Sequence, residues 1–168
     1  VRYDKRGIAA SQDAGRPEEQ RRIEDYADDA CNWLAWMRQQ TRLGPLAVIG
    51  HSEGALIGAL AAQRCPQHLS AYVSLAGVGG RASDALRLQL QHPQVPERVR
   101  ARSEVILQAL ERGETVAEVP PSLNALFRPS VQPYLVTWFR YDASAVLAKL
   151  AMPVMIVGGS TDIQVRPD

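Results

Sequence analysis

The pentapeptide Gly50-His51-Ser52-Glu53-Gly54 constrains this chain more than any other feature, because of what stands on either side of it. A short apolar run, residues 46–49, enters it, and a small-residue stretch with helical spacing, residues 54–64, leaves it. A bare G-x-S-x-G turns up by chance in about one chain in twenty of this length. At a strand-to-helix junction it acquires a mechanical meaning. A strand that turns at once into a helix forces the turning residue into a strained backbone conformation with positive φ and pushes its side chain out above the sheet. Gly50 and Gly54 would relieve the crowding, and Ala55 and Gly58 would let the helix lie close to the strands. The Ser52 hydroxyl is therefore expected to be exposed and oriented. The backbone N–H of Glu53, at the start of the helix, would point where a tetrahedral oxyanion forms, with the helix dipole adding favourable potential. The plainer reading is a strand-to-helix turn capped by a serine hydroxyl, which requires neither glycine. The Glu53 carboxylate reads as an acid in a first helical turn. His51 is not expected to reach Ser52, because adjacent side chains on so sharp a turn diverge.

The remainder of the chain suits one globular α/β domain. It has 168 residues, 46% of them hydrophobic, and a formal net charge of +1. That balance, without a basic block, speaks against nucleic acid and anionic membrane surfaces as partners. No run approaches the roughly 18 apolar residues of a membrane helix. Cys31 and Cys65 are too few for a disulfide framework or a zinc site, and no metal or redox cofactor is expected. The chain starts at Val1, so its true N-terminus is expected to lie elsewhere, and no compartment is assigned.

Short apolar runs ending in Gly or Asp, at residues 1–4, 46–50, 71–77 and 153–158, read as buried parallel strands. Helical spacing falls between them. After Pro17, Ile23, Tyr26, Ala27, Ala30, Leu34 and Met37 recur at steps of three or four, and helices are also expected at 82–91, 96–112 and 143–150. This alternation implies a mostly parallel sheet flanked by helices. Residues 81–142 exceed an ordinary crossover and read as an insertion. Its aromatic residues Phe127, Tyr134, Trp138 and Phe139 would suit a lid over a substrate pocket. The alternative is a helical excursion that merely extends the core.

Asp162 follows the run at 153–157 through Gly158-Gly159-Ser160-Thr161. In a parallel sheet this puts its carboxylate on the same rim as Ser52, where ligands of open α/β sheets bind. A carboxylate there could orient an imidazole and stabilise the imidazolium formed when Ser52 gives up its proton. Alternatively, Asp162 closes an Asx turn. Asp84 falls inside a helix, and Asp142 is expected to cap the helix starting near Ala143. His68 and His92 read as loop residues. With the chain order Ser, acid, His, the base is expected beyond Asp162, outside this sequence, and the chain reads as a fragment.

These residues resemble the α/β-hydrolase superfamily, more narrowly its bacterial esterase and serine-aminopeptidase-like branch. The resemblance rests on Tyr3-Asp4-Lys5-Arg6-Gly7 after a strand, on the elbow at Gly50 to Gly54, and on the segment from Pro153 to Asp162. It implies a partial α/β-hydrolase fold with hydrolase core at 1–80 and 143–168 and a helical cap at 81–142. Ser52 would be the nucleophile, Asp162 the triad acid and the Glu53 amide one oxyanion donor. The triad histidine and the second oxyanion donor would be absent. Residues 1–168 alone are accordingly expected to be inactive and poorly soluble. The function expected is hydrolysis of a small-molecule carboxylic ester through an acyl-enzyme, without a cofactor. Amide or peptide hydrolysis on the same fold and a non-catalytic binding protein are the alternatives.

Overall fold

The computed structural model describes residues 1–165. Its sheet contains β1 (Ala47–His51), β2 (Ala71–Leu75) and β3 (Val154–Val157), all parallel, in the order β1-β2-β3. His51 pairs with Leu75 and Leu75 with Val157, so the three strands end at one level. Residues 1–4 carry no strand. That expectation is corrected: among the described residues no strand pairs with this segment, and backbone groups without a ladder partner do not hold a strand. Tyr3 instead stacks on Trp33 with ring centroids 5.6 Å apart.

Helix α1 (Ile23–Arg38) begins later than Pro17, which precedes a short 3-10 turn, Glu18–Gln20. The Arg22 N–H donates to Asp25 Oδ2 at 2.8 Å at the helix entrance, and Ile23, Ala27, Ala30 and Leu34 form its buried stripe. Helix α2 (Glu53–Arg64) is buried without a break from Ala55 to Ala62, because it lies between the sheet and α1. A Cβ at Gly58 would come within 2.9 Å of both the Tyr72 ring and Val48 Cγ1, so glycine sets how closely α2 approaches the sheet.

Cys31 and Cys65 form a disulfide with Cα atoms 6.0 Å apart. Two cysteines make no framework, but they make this one bridge, because α1 and α2 pack together and bring two positions separated by 34 residues side by side.

Between β2 and β3 run α3 (Ala82–Leu90), α4 (Glu97–Glu111), α5 (Asn124–Phe127) and α6 (Gln132–Phe139), followed by α7 (Ala143–Leu147). Arg81 and Asp142 meet in an antiparallel bridge, so the excursion leaves and returns at one place. Its interior is continuous with the rest: Ile106, Leu110, Phe127 and Phe139 share one hydrophobic cluster with Ile23, Leu60 and Tyr72. Buried Gln132 leaves no polar atom unpartnered, its Oε1 accepting from the Val116 N–H and its Nε2 donating to the Val116 and Phe127 carbonyls. The Asp142 carboxylate accepts the Ala145 N–H, the expected N-cap of α7.

The strands are less buried than their apolar runs imply. Helix α2 covers one sheet face, whereas Ile49, paired with Val73 and through it with Met155, lies on the other face. Ile49 is 69% exposed and Met155 61%.

Candidate active site

Ser52 occupies the junction of β1 and α2 with φ 54° and ψ −122°. The strand-to-helix reversal produces this strain: the Ser52 N–H still donates to the Leu75 carbonyl at 3.0 Å, while the Ser52 carbonyl already accepts from Ala55 N–H at 2.9 Å. One residue thus ends a ladder and starts a helix. Its hydroxyl makes no capping bond, and the side chain is exposed, so the plain N-cap reading does not describe this turn. The two glycines differ. A Cβ on Gly50 would lie 2.2 Å from the Gly54 carbonyl oxygen, whereas one on Gly54 would meet nothing within 4 Å. The expectation that both relieve crowding is corrected to Gly50 alone.

Buried Tyr72 anchors the start of α2, its hydroxyl donating to the Ala55 carbonyl. Burial pushes its phenol up to about 12. The Glu53 carboxylate is held on both sides, by the Lys5 ammonium and by the Tyr134 hydroxyl, which donates at 2.6 Å. Burial first, and then the facing Glu53, push the Tyr134 phenol far above its ordinary range.

A hollow of about 70 Å³ opens beside Ser52. Ala82, Ala85, Leu86 and Gln89, at helical steps along one face of α3, line it together with Leu56 and Trp138. The four aromatic residues expected to line a pocket therefore separate. Trp138 lines the hollow, and its indole N–H is buried without a hydrogen-bond acceptor among the described residues. Phe127 and Phe139 are 0% and 2% exposed and pack in the core, and Tyr134 is turned to Glu53. For these three the pocket assignment is corrected, because an apolar stripe at helical spacing is drawn first to the largest apolar neighbour, here the shared core. The helical spacing at 82–91 carries this α3 face, which apart from Gln89 is small and aliphatic rather than aromatic. A wider cleft of about 580 Å³ between α3 and α4 has four charges in its lining that pair with one another, Arg87 with Glu104 and Arg100 with Glu97.

Asp162 follows the end of β3, on the rim where Ser52 follows the end of β1. With β2 between them, the two strand ends stand roughly 10 Å apart, two interstrand spacings. Asp162 Oδ1 accepts the N–H groups of Gln164 and Val165 at 2.9 and 3.0 Å, the Asx-type arrangement. Those two N–H groups, with a smaller contribution from His51, hold its carboxyl below the usual range. Gln89 of α3 donates to the Gln164 carbonyl at 3.0 Å, so the loop carrying Asp162 is tied to the helix that lines the hollow. His51 is exposed at the end of β1, His68 lies in the 3-10 turn before β2 at the opposite edge, and exposed His92 follows α3. Among the described residues no cluster of His, Cys, Asp and Glu could hold a metal ion, and no helix is long and apolar enough to cross a membrane.

The model of the alpha/beta hydrolase fold family matches residues 1–134. A comparison with curated proteins gives no match. Among solved structures, Rv0554 from Mycobacterium tuberculosis is similar at 19% identity and a TM-score of 0.56, covering 98% of this chain and 62% of that one. The hydrolase olei00960 from Oleispira antarctica matches at 16% identity and a TM-score of 0.55, covering 96% of this chain and 63% of that one. An extracellular alpha/beta-hydrolase from a Paenibacillus species matches at 14% identity and a TM-score of 0.51, covering 96% and 66%. At these identities the likeness concerns the fold, and the chain spans less than two thirds of the length of the first two structures. The family match ends before β3, so Asp162 lies outside it. With parallel strands, the elbow at Ser52 and a family match over most of its length, the chain belongs to the α/β-hydrolase fold family.

Proposed function

We propose that this protein is a serine hydrolase that cleaves a carboxylic ester through an acyl-enzyme, with Ser52 as nucleophile. The observation that carries the reading is an exposed serine held at φ 54° without a capping bond, beside a hollow lined by one face of α3. A hydroxyl that does not satisfy the helix start is free to serve another purpose, and strain of this kind persists where function needs it.

In this reading the Ser52 oxygen attacks the ester carbonyl carbon while a histidine takes its proton. The alcohol leaves with that proton, and water then hydrolyses the acyl-serine by the same path reversed. The negative charge on the tetrahedral oxygen is met by the Glu53 N–H at the positive end of α2. Asp162 orients the imidazole. Its two backbone donors both fall on Oδ1, so Oδ2 is the oxygen an imidazole would meet. The base is a histidine other than His51, His68 and His92. Residues 81–142 act as a cap, with α3 and Trp138 shaping the acyl side of the pocket.

Ser52→Ala in the full-length protein tests the assignment. Ester hydrolysis is expected to fall at least about 1,000-fold, and unchanged hydrolysis would overturn it.

A further inference from the structure

We propose that the Glu53 side chain, clasped by Lys5 and Tyr134, is a brace that positions the oxyanion-binding amide of the same residue, and that its two partners neutralise a charge the transition state would otherwise oppose. The inference rests on the reading of Ser52 as nucleophile.

An acid in the first turn of a helix ordinarily faces water and needs no partner. Glu53 has two, and they come from far along the chain. Lys5 precedes it by 48 residues and Tyr134 follows it by 81. Both partners are themselves held. The Tyr134 ring meets Tyr26 edge-on, with centroids 5.5 Å apart, and the Lys5 ammonium sits 5.6 Å from the centre of the Tyr26 ring. The N-terminal segment and α6 thus converge on one carboxylate at the start of α2, with Tyr26 of α1 against both of its partners.

Two physical consequences follow for the amide. The first N–H groups of a helix have no acceptor inside it, and the Glu53 amide is oriented from the ladder only through the Ser52 carbonyl of the same peptide plane, which accepts the Ala55 N–H at 2.9 Å. A side chain pinned from both sides adds a second constraint on the start of the helix. A carboxylate one residue from a forming oxyanion would also raise the barrier by like-charge repulsion, strongly so where water is excluded. An ammonium and a phenol O–H directed at the carboxylate reduce that repulsion while leaving the amide free to donate.

The test uses the full-length protein, with active sites counted by a fluorophosphonate so that misfolded material does not enter the rates. For hydrolysis of p-nitrophenyl butyrate, Tyr134→Phe and Lys5→Met are each expected to lower kcat per titrated site about tenfold, the size of effect a small misplacement of a transition-state contact produces. KM should stay within about twofold, because the ground-state carbonyl leans little on this donor. The Ki of a boronic acid that forms a tetrahedral adduct on Ser52 should rise by the same factor as kcat falls. Glu53→Gln, added to Lys5→Met, removes the unpaired charge and keeps an acceptor for Tyr134, so the double variant is expected to regain most of the lost rate. Rates per site equal to wild type, a loss confined to KM, or a double variant no faster than Lys5→Met would overturn the brace. A wild-type protein that takes no label would overturn the nucleophile assignment, and the brace with it.

Discussion

At the scale of single residues, the elbow separates two glycines that the motif makes look equivalent. The Cβ of an alanine at position 50 would stand 2.2 Å from the Gly54 carbonyl oxygen and 2.7 Å from Ala55 Cα, both backbone atoms of a helix that is buried along most of its length. Relief would require moving α2 off the sheet. Gly50→Ala is therefore expected to cost about 3 kcal/mol, toward the upper end of overpacking penalties. The same change at Gly54 meets nothing and replaces a glycine inside a helix, so it should leave stability unchanged or raise it by up to about 1 kcal/mol. Urea unfolding of the two variants checks this, and equal losses would contradict it. The spacing of the motif was legible in sequence, and so was the positive φ of Ser52. Which glycine is crowded was not, because that depends on the angle at which α2 leaves the strand. The same limit applies to Phe127, Phe139 and Trp138. Their aromatic character was visible, but the face of the helix each occupies relative to the core is settled by packing.

At the scale of elements, α1 and α2 are joined by the disulfide between Cys31 and Cys65, which closes a loop of 34 residues. Cross-linking a loop of that length restricts the unfolded chain and contributes roughly 2–4 kcal/mol. Reduction is thus expected to lower the melting temperature by about 5–12 °C in a protein of this size. Melting curves with and without a reductant measure it. Overlapping curves, or two free thiols titrated in the unreduced protein, would contradict the pairing. Nothing in the spacing of two cysteines announced the pairing, because it depends on how two helices pack. The alternation of strands and helices was readable, as were the positions of β1, β2 and β3. Residues 1–4 were misread because an apolar run states a preference for burial, and a strand also needs a neighbour in register to take up its backbone groups.

At the scale of the whole molecule, the helices share one core while the sheet is covered unevenly. Ile49 and Met155 stand exposed in one paired row, and Ile156, at 69% exposure, leaves β3 open as well. Apolar side chains beside unpaired strand edges invite association. Residues 1–168 on their own are expected to elute as oligomers or aggregates, and Ile49→Lys with Met155→Lys to shift them toward the monomer. A monodisperse monomer in light scattering without those changes would contradict this. The rim where Ser52 and the loop of Asp162 emerge was readable from parallel strand order alone, because parallel strands end together. The ties across it, from Gln89 to the Gln164 carbonyl and from Glu53 to Lys5 and Tyr134, join distant segments and were not. The account as a whole depends on the reactivity of one hydroxyl. Treatment of the full-length protein with a fluorophosphonate, followed by peptide mass mapping, measures it without knowledge of the substrate. The account predicts a single adduct on Ser52 that disappears in Ser52→Ala, and an unlabelled protein or an adduct that persists in that variant would contradict it.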